Sequence, residues 1–155
     1  ANMVEEDDMN HCIHLLLVSS HGVDGQAMRE RLAGASGVTI VGEAHSEVEA
    51  LALADKAQPD VILLSIASPS ADALQIVACL HARCPRSRII VLSHGDNQED
   101  LVLEAFRQGA RGYLTEQHAQ PPELLDAIRT VARGGSVLSP DMAGRILDEL
   151  SAGRR

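Results

Sequence analysis

The chain is 155 residues long, 45% hydrophobic and 23% charged, with a mean hydropathy of -0.01. That length and balance fit one globular domain with its own core and exclude wholesale disorder. Thirteen Lys and Arg against 22 Asp and Glu leave a net charge of -9, which repels a phosphate backbone, so this chain is not expected to bind nucleic acid directly.

Residues 1 to 11 carry Glu5, Glu6, Asp7 and Asp8 without periodicity and read as a disordered, solvated tail or a cloning remnant. They lack the basic-then-apolar pattern of a signal peptide. No later run approaches the roughly 20 apolar residues of a membrane helix, so no membrane contact and a cytoplasmic location are expected. Cys12, Cys79 and Cys84 lack Cys-x-x-Cys spacing and read as reduced thiols.

From Ile13 onward, runs rich in Val, Ile and Leu at 13–18, 38–42, 61–66, 89–93 and 112–114 read as five strands. Helical spacing alternates with them at about 24–33, 47–57, 72–83, 97–108 and 122–133. Ser46 and Glu49 make a Ser-x-x-Glu capping box; Pro121 and Pro122 suit a first helical turn, and Gly134-Gly135 suits a stop. A last helix over 140–151 takes Ser139 as its cap and sets Met142, Ile146, Leu147 and Leu150 on one apolar face that needs a partner surface. Apolar strands joined by crossover helices predict an α/β domain with a parallel sheet covered on both sides. Periodicity leaves the strand order open.

Three segments, Ile13-His14-Leu15-Leu16-Leu17-Val18-Ser19-Ser20-His21, Ile40-Val41-Gly42-Glu43-Ala44 and Pro59-Asp60-Val61-Ile62-Leu63-Leu64, resemble the receiver domain of two-component response regulators. Ile89-Ile90-Val91-Leu92-Ser93, Gln108-Gly109-Ala110-Arg111-Gly112-Tyr113-Leu114 and Gly134-Gly135-Ser136-Val137-Leu138-Ser139-Pro140 are similar to the NarL/LuxR branch. The resemblance implies a flavodoxin-like (βα)5 three-layer sandwich with strand order 2-1-3-4-5. It places the receiver at 12–135 and makes 136–155 a linker helix toward an absent helix-turn-helix output domain, the chain being expected to be a piece of a longer transcriptional regulator, with a stand-alone module as the alternative.

The same resemblance implies acidic residues at the end of the first strand, a phosphate-accepting aspartate ending the third, Thr or Ser ending the fourth and a lysine after the fifth. Those positions hold Ser19 and Ser20, Ser65, Ser93, and Glu116. Magnesium prefers carboxylates and water, and Glu116 would repel an incoming phosphate, so magnesium binding and the aspartyl-phosphate switch are both expected to be lost. No catalytic constellation is expected. A serine without a base or metal is a weak nucleophile, so Ser65 reads as a small polar residue left in a decayed pocket.

The expected function is a phosphorylation-independent regulatory and dimerisation module. The alternative is a small-molecule or metal sensor using His21, His94 and Glu116, against which loop histidines with no ligand are the plainer reading. Ser93 and Tyr113 match the family's switch pair; a strand-edge tyrosine with a wet hydroxyl explains Tyr113 equally. Homodimerisation is expected through the face of the fourth helix, fifth strand and fifth helix, with Leu101 or Leu103 exposed and Arg107, Arg111, Arg129 and Arg133 set against Glu104, Glu123 and Asp126, or through one using the first and fifth helices, as the resemblance implies. A solvated helix face with i,i+4 pairs is the bland reading of those charges.

Overall fold

Six parallel strands form one sheet in the computed structural model, which describes residues 12–19, 25–67, 70–95 and 99–151. The strands are β1 (Ile13–Ser19), β2 (Val38–Ala44), β3 (Val61–Ile66), β4 (Arg88–Ser93), β5 (Ala110–Thr115) and β6 (Val137–Leu138), ordered β2-β1-β3-β4-β5-β6. The helices are α1 (Gly25–Leu32), α2 (Glu47–Ala57), α3 (Ala71–Arg83), α4 (Glu99–Arg107), α5 (Pro121–Ala132) and α6 (Pro140–Ser151). Among the described residues no helix is long and apolar enough to cross a membrane.

Strand alternation sorts the core into two layers. Leu16, Val18, Ile62, Leu64, Val91 and Tyr113 face one side and pack against α2, α3, α4 and α6. Leu15, Leu17, Leu63, Ile90 and Leu92 face the other and pack against Met28 and Leu32 of α1 and Leu124, Ile128 and Val131 of α5. All six residues of β3 are buried, as expected for a central strand covered on both sides. Each such Leu or Ile contributes about 1.5–3 kcal/mol when fully buried, which is why the apolar runs dictate the sheet.

The helix signals hold with small changes. Ser46 Oγ accepts from Glu49 N at 3.2 Å, while the Glu49 carboxylate reaches one residue further back, to His45 N at 2.6 Å. Ser70, not read as a cap, accepts from Ala73 N at 3.1 Å and opens α3. Pro121 and Pro122 start α5, and Gly134 at φ 99 ends it.

Two expectations need correcting at the C-terminal end. The sheet has a sixth strand: Val137 and Leu138 pair with Gly112 and Tyr113 of β5, a two-residue element too short to carry a periodicity. The apolar face of α6 is divided. Met142 and Ile146, one helical turn apart, are buried with Val102 and Ala105 of α4, whereas Leu147 and Leu150 stay 62% and 57% exposed. Within the 136–155 segment expected as a linker, β6 thus pairs with β5 and α6 packs with α4.

Candidate functional site

Parallel α/β sheets bind ligands beyond the carboxyl ends of their strands, and here that edge is lined with hydroxyls. Ser19 lies beside Ser65 in the β1–β3 register, and Ser93 lies beside Ile66 and Thr115 in the next two. All four hydroxyl residues are buried, Ser65 and Ser93 at 1% exposure. Gly25 begins α1 directly against this row: a Cβ there would come within 2.7 Å of Ser19 Oγ, so the helix can approach only because the side chain is absent.

Glu116 follows β5 and is held from two sides. Its Oε2 lies 3.2 Å from His94 Nδ1 and its Oε1 lies 3.5 Å from Arg31 Nη2. Arg31 also donates to the Ala119 carbonyl at 3.3 Å, which ties α1 to the segment after β5. The carboxylate thus carries the charge opposite to the Arg31 guanidinium beside it. Among the described residues, the buried His94 Nε2 meets no hydrogen-bond partner.

Tyr113 is fully buried in the layer that also holds Met142 and Ile146. Burial pushes its phenol pKa up, and the neighbouring Ser93 hydroxyl opposes this by favouring the phenolate. The hydroxyl of Tyr113 is not wet, because β6 and α6 cover the strand edge. Ser139 fastens that cover: its Oγ accepts from Thr115 N at 2.8 Å and its own N donates to the Tyr113 carbonyl at 3.1 Å. The side chain expected to cap α6 is thus spent on β5, and the first turn of the helix is closed by the Ser139 carbonyl.

The family model for the response regulator receiver domain matches residues 15–129. The chain belongs to the response regulator receiver family. It is 31% identical over 140 residues to the nitrate/nitrite response regulator protein NarL of Escherichia coli K12, covering 90% of this chain and 64% of that relative. The chain therefore spans less than two thirds of that protein. The signal receiver domain of NarL from Mycobacterium tuberculosis superimposes with a TM-score of 0.69 at 27% identity, covering 80% of this chain and 98% of that one. A LuxR-family response regulator from Aurantimonas sp. SI85-9A1 shares the fold, with a TM-score of 0.77 at 24% identity over 90% of this chain and 99% of that one.

In this receiver the resemblance implies a magnesium ion at the edge where Ser19 and Ser65 stand. Among the described residues the donors do not fit one: Ser19 and Ser65 offer neutral hydroxyls in place of carboxylates, and Glu116 is engaged by Arg31 and His94. Among the described residues no three His, Cys, Asp or Glu side chains come together to hold a metal ion. Ser20 and His21 lie outside the described residues, so the expected grouping of His21 with His94 and Glu116 reduces to the latter pair.

The expected dimer face is more dispersed than its sequence pattern. Leu101 and Leu103 are half-buried against the core instead of standing free. Arg107 pairs with Glu104 of its own helix at 3.3 Å, Arg129 donates to the Ser36 carbonyl at 3.0 Å, and Arg133 is exposed at the end of α5. Arg111 lines a cleft at the amino ends of β3, β4 and β5, the end of the sheet opposite the hydroxyl row. Arg31 is the site residue that sequence reasoning missed, since its contact with Glu116 spans 85 positions and no local motif marks it.

Proposed function

We propose that this receiver is the regulatory and dimerisation module of a NarL/LuxR-type transcriptional regulator and works without an aspartyl phosphate. One observation carries the reading: at the end of β3, where the family's acceptor carboxylate belongs, stands the buried hydroxyl of Ser65. Phosphoryl transfer needs a nucleophile and cationic stabilisation of the transferred oxygens. A serine hydroxyl is a weak nucleophile without an activating base or metal, and Glu116 takes the place of the lysine. Magnesium binding is lost for the same reason.

Dimerisation is supported by Leu147 and Leu150, two large apolar side chains left in water on one helix. An output domain joined in cis accounts for the remaining length of the relatives. Titrating magnesium calorimetrically, with and without beryllofluoride, while following mass by light scattering, tests the reading. It expects no heat and no mass change on adding either reagent. Saturable magnesium binding with beryllofluoride-driven dimerisation would overturn it. Replacing Leu147 and Leu150 by Ser should reduce the concentration-dependent mass; an unchanged mass removes the dimer part.

A second reading, a small-molecule sensor at the same edge, is favoured by the buried His94 Nε2, which has no hydrogen-bond partner among the described residues and which a ligand with a complementary polar atom would satisfy. A metabolite panel read by thermal shift separates the two, because a specific binder raises stability by mass action.

A further inference from the structure

The edge of the sheet opposite the hydroxyl row holds a cleft of about 490 Å³, built where β3, β4 and β5 begin. That size is within the range of small-molecule sites, about 300–1,000 Å³. Three guanidiniums line it, from Arg86, Arg88 and Arg111, together with His81 at the end of α3 and a single carboxylate, Asp60. In a chain of net charge -9 this is a concentration of positive charge that the composition does not foreshadow.

The charges are not spent on one another. Asp60 Oδ2 already accepts from His14 N at 2.8 Å, which aligns the start of β1. Arg88 donates to the Ala132 carbonyl at 3.3 Å and is anchored against α5. Arg86 and Arg111 are exposed, and neither has a carboxylate or carbonyl partner among the described residues. Gly109 completes the wall: at φ 122 its backbone lies against the His81 ring, and a Cβ there would stand 2.4 Å from His81 Cγ. The cleft is therefore concave, cationic on two free forks and backed by a third that is fixed.

We propose that this cleft binds a small organic polyanion, a phosphate ester or a polycarboxylate, with Arg86 and Arg111 as its principal contacts. Guanidinium forks match the planar oxygens of carboxylate and phosphate in bidentate pairs, and such charge-assisted bonds are the stronger kind. The site lies at the amino ends of the strands, away from Ser65 and Glu116, so it stands whether or not the hydroxyl row takes up phosphate.

The test is calorimetric titration of the whole chain with inorganic pyrophosphate and, separately, with citrate. The Arg86→Ala/Arg111→Ala double variant is compared with Arg29→Ala/Arg145→Ala, which removes the same charge outside the cleft. Saturable binding of either anion is expected, weakened roughly tenfold or more in the cleft variant and retained in the other. Preference for pyrophosphate assigns the phosphate class; preference for citrate assigns the polycarboxylate class. No saturable heat with either anion, or equal weakening in both double variants, overturns the proposal. Circular dichroism verifies the fold of each variant, and single Arg86→Gln and Arg111→Gln variants replace the double one if it fails to fold.

Discussion

Truncating Met142 and Ile146 to Ala together should uncover Tyr113 while leaving the sheet folded. Met142 is 1% exposed and Ile146 is 7% exposed, both within the apolar layer that holds the tyrosine. Each truncation removes three heavy atoms from that layer, about 2.4 kcal/mol at roughly 0.8 kcal/mol per methylene-sized group. The pair thus removes about 5 kcal/mol of docking, an upper bound because the unfolded chain is itself partly compact. The helix packs onto α4 along one edge and follows the last strand of the chain's fold, so detachment of α6 relieves the loss before the sheet gives way. Tyr113 is the chain's single tyrosine and there is no tryptophan, so an ultraviolet pH titration reads this one site. In the native chain burial holds the phenol above its ordinary 10.0. The unfolded chain loses that proton first as pH rises, so native stability should fall once pH passes about 10 and keep falling until the buried phenol ionises. In the double variant the titration should move back toward 10.0, and α6 amides should exchange rapidly with deuterium. An unmoved titration with α6 still protected would refute the idea that this helix is what covers the ring.

Other consequences are simpler. Ser139→Ala leaves the buried Thr115 N–H without its acceptor and should cost about 1–3 kcal/mol in a denaturant melt, with the largest rise in exchange at β6 and the start of α6. Gly109→Ala should destabilise by more than the roughly 1 kcal/mol typical of an average substitution, because a positive φ and a Cβ 2.4 Å from His81 Cγ act together; a neutral melting temperature would contradict that packing. Alkylation followed by mass spectrometry should label exposed Cys12 first and Cys84 last, since Cys84 is buried and burial, with Asp55 adding to it, pushes its thiol pKa above the ordinary 9.0.

What the sequence disclosed and what it concealed divide along a physical line. Runs such as Val61 to Ile66 declare a buried strand because few other structures tolerate six successive buried side chains. The serine that interrupts such a run is visible for the same reason, so Ser65 and Ser93 could be placed at strand ends from sequence. Helix boundaries followed from local chemistry at Ser46, Pro121 and Gly134. Contacts made across the fold leave no such trace. Arg31 meets Glu116, Arg129 meets Ser36, and Arg111 turns into the basal cleft, each decided by how distant elements are stacked. The α6 stripe shows the same limit: its pattern is apolar over Met142, Ile146, Leu147 and Leu150, yet only the crossing of α6 over α4 determines that the first two are buried.

Strand β5 joins these features in one short piece of chain. Arg111 stands at its base, where the register with β4 skips a residue and the alternation of the pleat is broken, Tyr113 in its middle and Thr115 at its end, with Glu116 immediately beyond. A receiver that switches by phosphate needs the end of this strand to respond to charge at the end of β3. Here the charge on Glu116 is matched by Arg31 and shared with His94, and Thr115 is fastened to Ser139. On the proposed reading, the disposition of Tyr113 is set by the apolar layer it shares with Met142 and Ile146 and not by events at Ser65. A ligand or partner can shift that arrangement only by binding the covered and uncovered states with different affinity. On the reading proposed above, control of this domain falls to whatever competes for, or reinforces, the seat of α6 on α4 and β5.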